Sequence, residues 1–328
     1  MKKIVGILAA AAVAVSAFAV DFSAGMQLKG ELFKYDGATK GLSAMTLNSN
    51  NSKDDKPFIF SLSSDRVGGQ LKIFHDGTGT FKDAAYQIWF KPFDFLKVDL
   101  GNFGWSMNTE TITYWKGKVA GTSDWGYRAT ATFDGFEIGA GVFAANNTAW
   151  LSVPNGGQAS VGETALWAQY SADFGTIKFL GIFKNTFKDD TFALGYNNKF
   201  GDVSIFADVA FILATASNTM GLNADFDIAY AKDAFSAQLY AAAKIGNFNA
   251  IDTSLTIPLY FKAAYALNGG SLYFKFLDDN LKANSFTADF HLGYDGNLGA
   301  MSYEVEACID VKGSVVDFSV PVWFRLSF

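Results

Sequence analysis

The last fourteen residues, VVDFSVPVWFRLSF (Val315–Phe328), sort by twos. Val316, Phe318, Val320, Val322, Phe324, Leu326 and Phe328 fall on one side. Asp317, Ser319, Trp323, Arg325 and Ser327 fall on the other, with Pro321 among them. Successive side chains of an extended strand point to opposite faces, so this stretch reads as a strand with one wholly apolar face. The same period recurs at Phe22–Phe33, Asp124–Phe133, Asn284–Tyr294 and Met301–Ile309. Hydrophobic residues make up 50% of the chain, yet beyond the N-terminal leader no apolar run is long enough for a helical membrane span. The apolar residues are dispersed to alternate positions. That arrangement excludes a helical membrane protein and points to strands with one face against an apolar medium.

The N-terminus supplies a compartment. Lys2 and Lys3 precede the apolar run Ile4–Val15, and Ala17-Phe18-Ala19 follows as an A-x-A cleavage site. This is the pattern of a secretory signal peptide over residues 1–19, with the exported chain over 20–328. Cys308 is the only cysteine, which excludes an internal disulfide framework, a lipid-anchored signal end and a multi-cysteine metal centre. The net charge of −6, without a basic cluster, excludes nucleic acid as a partner.

The chain repeats one grammar of alternating strand, tight turn, returning strand and longer loop. Tight turns are expected at 64–66, 92–94, 134–135, 173–175, 201–202, 232–233, 268–270 and 295–297, where Gly, Asn and Asp recur. Longer connections are expected at roughly 35–57, 76–82, 103–123, 145–162, 185–190, 215–219, 246–252, 278–283 and 310–314. This predicts an all-β fold, an antiparallel transmembrane β-barrel of about 18 strands, or 16 if residues 58–75 are arranged otherwise. A soluble all-β fold fits less well, because charged residues are only 18% of the chain. No segment is left over for a plug.

A barrel of that circumference leaves an aqueous channel, whereas eight strands would be filled by side chains. Alternation turns Lys29, Glu31, Lys72, Lys97, Asp99, Arg128, Asp225, Asp227, Asp289, Glu304 and Glu306 inward, since a charge facing lipid costs about 2–4 kcal/mol at mid-membrane. Trp89, Tyr240, Tyr260 and Tyr273 are the inward aromatics that a sugar track would use. The two histidines, His75 and His291, have no serine or carboxylate at triad spacing, and no enzyme is expected. Asp76–Thr80 lacks the ending of a phosphate loop, and Asn48–Asp55 reads as a solvated tip. No cofactor and no metal site is assigned, and Cys308 is given no role.

The terminal strand resembles the C-terminal assembly signal of bacterial outer-membrane barrels in Phe324, Leu326 and Phe328, with Val320 and Pro321 standing where a glycine is often seen. Nearly all the exported chain resembles bacterial outer-membrane porins. The hairpin Tyr86–Phe103 also looks like one of spirochaete porin-like outer-membrane proteins. The resemblance implies an integral protein of the outer membrane of a double-membraned bacterium. It would pass small hydrophilic solutes or ions, with outer-membrane lipid and the assembly machinery as partners, and form a homotrimer. It also implies that the third external loop, Phe103–Ser123, folds inward, with Glu110 and Lys116 bordering a constriction; the family's usual acidic loop motif is absent, and a loop lying over the mouth is the other reading. The different-class alternative is a surface barrel whose loops bind host or phage partners.

Overall fold

The computed structural model describes residues 19–23, 25–48, 58–75, 81–107, 120–122, 125–144, 161–184, 189–214, 217–283 and 286–327. They form one antiparallel sheet of twenty-one strands. In chain order these are β1 (Ala19–Ser23), β2 (Gly25–Asp36), β3 (Gly41–Asn48), β4 (Phe58–Ser63), β5 (Val67–His75), β6 (Phe81–Phe93), β7 (Leu96–Asn102), β8 (Trp125–Phe133), β9 (Phe136–Ala144), β10 (Val161–Ala172) and β11 (Gly175–Lys184). They continue with β12 (Asp189–Phe200), β13 (Val203–Ala214), β14 (Thr219–Lys232), β15 (Phe235–Ile245), β16 (Leu255–Thr256), β17 (Leu259–Leu267), β18 (Gly270–Asp278), β19 (Thr287–Leu298), β20 (Met301–Lys312) and β21 (Val315–Ser327). The helical content among the described residues is a 3-10 turn at Phe248–Ala250 and a single turn, α1 (Ile251–Ser254).

From β4 to β15 each strand pairs with the next. β15 pairs with both β16 and β17, and the order resumes through β21. The last strand pairs with the second: Gly25–Tyr35 of β2 runs antiparallel to β21, with Leu28 opposite Phe324 and Met26 opposite Leu326. β2 also pairs with β3, and β1 pairs with β4. The described pairings are thus one open series whose ends are β1 and β3.

Segments outnumber the expected strands because two stretches are interrupted and one expected loop contains a strand. β1 and β2 are separated by Ala24, outside the described residues. Residues 41–48, expected to be loop, form β3, because Gly37–Lys40 closes a turn that returns the chain along β2. Ile257 and Pro258 separate β16 from β17; proline has no N–H to give to a ladder.

The two faces separate cleanly. On β14, Met220, Phe226 and Tyr230 are exposed, while Asp225 and Asp227 on the other face are buried. On β20, Val305 and Ile309 are exposed, while Glu306 and Cys308 are buried. Leu166, Leu194, Phe211, Leu239, Leu272 and Leu292 carry the exposed apolar face along the series. A water-soluble monomer rarely exposes a contiguous apolar patch beyond a few hundred Å².

Aromatic rings gather where the tight turns are. Phe95 stacks on Phe93 and on Phe133, with ring centroids 5.5 and 5.2 Å apart. Tyr170 stacks on Phe136 at 4.2 Å and Tyr294 meets Tyr303 at 6.0 Å.

Most tight turns fall where the sequence puts them, but one does not. Residues 295–297 are strand, and the chain turns at Gly299–Ala300, with Gly299 at φ 60°. Gly296 serves packing instead: a Cβ there would meet the Tyr303 hydroxyl at 2.6 Å. Gly293 is similar. A Cβ on it would overlap the ring of Tyr273 on the neighbouring strand. Gly293→Ala is therefore expected to destabilise the refolded protein by about 1–3 kcal/mol, as overpacking does, read as a lower urea midpoint.

Candidate functional site

Every expected wall residue with a described side chain lies on the face opposite the exposed apolar residues. They are not one cluster; the sheet spreads them into three groups.

The first group centres on Asp99 of β7, whose side chain is fully buried. Its Oδ1 accepts from Lys97 Nζ at 2.9 Å and from Gln87 Nε2 at 3.0 Å. Its Oδ2 accepts from Arg128 Nε at 3.0 Å; Arg128 is directly opposite Asp99 on β8. Arg128 then leaves the sheet. It donates through a terminal nitrogen to the Gly104 carbonyl at 2.9 Å and lies over the rings of Phe103 and Trp105.

That contact anchors a segment folded onto the polar face. Phe103, Trp105, Met107 and Ala120 are all buried. Met107 donates its N–H to the Ala120 carbonyl at 2.9 Å, and Thr122 donates to Trp105 O at 2.9 Å, so the two limbs of the long connection pair with each other. The indole of Trp105 stacks on Trp167 at 6.2 Å and meets Phe143 edge-on. Trp167 Nε1 donates to Glu137 at 2.7 Å. The seat is cut by small residues. A Cβ on Gly139 would come within 2.7 Å of Trp105, and one on Gly195 within 2.8 Å of Met107. The described residues of this connection, 103–107 and 120–122, thus pack on β9–β13, in one buried cluster with Ala165, Leu180, Ile182, Ala193 and Ala210. Glu110 and Lys116, expected to border a constriction, lie outside the described residues.

The second group is on β14 and β15. Asp227 accepts from Gln238 Nε2 at 2.6 Å and Asp225 from the Tyr240 hydroxyl at 3.2 Å. Tyr240 is paired directly with Tyr260 of β17, and both are buried with Leu277. Of the aromatics expected for a sugar track, Tyr240 and Tyr260 thus meet across the pair. Trp89 is on β6, with its indole beside Gly68.

The third group spans β17–β20. The Tyr273 hydroxyl lies 2.6 Å from Glu304 and 2.7 Å from Glu306, so the two carboxylates share its one proton. Lys275 Nζ lies 2.6 Å from Glu306 Oε1 and 3.5 Å from Glu304, and Lys262 sits over the Tyr273 ring. Asp289 stands opposite Asp310. Next to this group a polar recess is lined by Asp295, Glu304, Trp323 and Arg325, and Lys29 approaches the Trp323 ring at 4.7 Å. Glu31 is 4.0 Å from Lys34, and Lys72 is half-buried beside Gln70.

Sequence reading named most of these residues but not the contacts that tie them together. Tyr273 as a bridge, Arg128 as a clamp on Gly104, and the grouping of His291 with Cys308 depend on cross-strand register. The side chain of His75 is not among those described. Of the terminal signal, Phe324 and Leu326 are in β21, and Phe328 lies outside the described residues.

No protein-family model matches the sequence, and no curated protein matches it. Solved structures do match in fold. The chain is similar to OccK2 (OpdF) of Pseudomonas aeruginosa, with a TM-score of 0.59 at 10% identity over 95% of this chain and 98% of that one. It is similar to OccK10 (OpdN) of the same organism, at 0.58 and 13% identity over 94% and 98%. It is similar to the outer membrane protein OpdK, again from Pseudomonas aeruginosa, at 0.52 and 12% identity over 94% and 98%. At such identities the likeness is one of fold, and the fold is that of an outer-membrane porin.

Proposed function

We propose that the chain is an outer-membrane channel for passive diffusion of small hydrophilic solutes, exported by a signal peptide cleaved near Ala19. The observation that carries this reading is the length of the antiparallel series combined with its facing. If β1 and β2 are one stave broken at Ala24, β3 and β4 share one position, and β16 and β17 another, twenty-one segments become eighteen. The two ends of the series then meet at that first stave. An eighteen-stave ring leaves a water-filled centre.

The facing supports the same reading. The apolar residues are exposed outward and the aromatic rings beside the tight turns form a girdle, as at a membrane surface. On this reading Lys29, Glu31, Lys72, Lys97, Asp99, Arg128, Asp225, Asp227, Asp289, Glu304 and Glu306 line the lumen. The segment from Phe103 to Met107 hugs one wall and narrows the lumen. Both charge signs line the wall, so ion preference is weak. No chemical step is assigned.

The test is conductance across a planar bilayer. The refolded protein should open discrete, ohmic, water-filled pores, and neutral polymers small enough to enter should lower the current. Bilayers that stay sealed around correctly folded protein would end the channel reading and leave loop-mediated binding as the role of the barrel.

A further inference from the structure

We propose that the polar face of β19 and β20 carries a site for a divalent transition-metal ion of the zinc class, ligated by His291, Glu306 and Cys308. The inference rests on strand register and distances, and it holds whether or not the lumen conducts.

Register brings the three together. His291 stands directly opposite Cys308, and Glu306 is two residues before Cys308 on the same face. All three are buried, with 7%, 3% and 4% exposure. Cys308 Sγ is 3.1 Å from His291 Nδ1, Nδ1 is 3.3 Å from Glu306 Oε2, and Sγ is 3.8 Å from Oε2. A tetrahedral ion bound through nitrogen, oxygen and thiolate at about 2.0–2.3 Å holds neighbouring ligand atoms about 3.3–3.6 Å apart. The observed triangle is close to one face of that tetrahedron, and the fourth vertex is left for water or a carboxylate.

The orientation of Glu306 fits. Lys275 is held by Oε1 at 2.6 Å, as is the Tyr273 hydroxyl at 2.7 Å, while Oε2 turns to the imidazole and thiol. Outer partners of this kind fix a ligand's direction. A second observation adjoins the triad. One step along the same face, Asp289 stands opposite Asp310, and Asp310 stands opposite Asp317 of β21. Like charges directly opposite destabilise a sheet. Lys312, 3.6 Å from Asp317, offsets part of this charge. Ligand atoms of Asp289, His291 and Asp310 also lie within 4.8 Å of one another, so His291 is shared between the triad and the acidic step. A dication there relieves the repulsion.

The donor set selects the metal. Magnesium and calcium take oxygen ligands, whereas nitrogen with thiolate suits zinc and its neighbours. Binding forms the metal–sulfur bond as the Cys308 thiol releases its proton to water, with no change of oxidation state.

Cobalt(II) is the probe, added to the protein refolded in detergent, with folding checked by its β-type circular dichroism. One equivalent should bind with a thiolate-to-cobalt charge-transfer band, which zinc removes and magnesium leaves. Cys308→Ser should abolish the band. His291→Ala should weaken binding by more than about tenfold, and Asp289→Asn with Asp310→Asn by about tenfold with the band retained. Folded wild-type protein with no saturable cobalt uptake, or a band that survives Cys308→Ser, would overturn the site.

Discussion

Phe226→Arg is expected to destabilise the refolded protein in lipid vesicles by about 2–4 kcal/mol, a shift of tens to hundreds in the folding equilibrium. Phe226 is at the middle of β14 and exposed, between the buried Asp225 and Asp227. Its cross-strand neighbours on the same face are Ala207 and Ala241, neither of which offers a charge to pair with. An arginine at mid-membrane depth must either stay in hydrocarbon or drag water and headgroups to it. The effect should be largest in lipid and shrink in detergent, where the belt deforms easily. Equilibrium urea unfolding from vesicles measures it. A change below about 1 kcal/mol in lipid would mean that this face meets water, and the outward assignment of the apolar residues would fall.

Asp99→Ala is expected to lose about 3–5 kcal/mol, toward the lower end because its partners keep some contact with water. Asp99 is the shared acceptor of Lys97, Gln87 and Arg128. Removing it strands two cations against the sheet. Arg128 is the greater loss, since its side chain is only 17% exposed, against 35% for Lys97. Arg128 also holds Gly104 and covers Phe103 and Trp105, so its release loosens the folded-in segment. The variant should therefore unfold at lower urea and, in the bilayer, show noisier current than wild type. Lys97→Met removes only the more exposed partner, and its effect should stay within about 1 kcal/mol. Equal losses in the two variants would show that Asp99 is not the hub of the group.

Much of the fold was legible because strand alternation is a local property. Phe226 beside Asp225 and Asp227, or Val305 beside Glu304 and Glu306, declares a face without knowledge of any partner strand. Turns such as Asp134-Gly135 and Gly201-Asp202 were also readable, since Gly135 and Gly201 take the positive φ that few other residues adopt. The turn after β19 was misplaced for the same local reason. Gly296 looks like a turn glycine, but it makes room for Tyr303.

That one misplacement shows where sequence runs out. A turn centred on Gly296 would set His291 opposite Met301; the turn at Gly299–Ala300 sets it opposite Cys308. Register follows from where the chain reverses, and a slip of a few residues changes every cross-strand partner. The same holds for Trp105, whose partners Phe143 and Trp167 are far along the chain and give no local sign of the stack.

By itself, then, the sequence determined that this chain makes two-faced antiparallel strands with an outward apolar surface, because each residue's side follows from its parity. The tertiary structure alone decided which charges share a partner, which connection lies down on β9–β13, and which buried donors meet across β19 and β20. Those depend on register and on long-range packing, and neither is encoded in the spacing of neighbours along the chain.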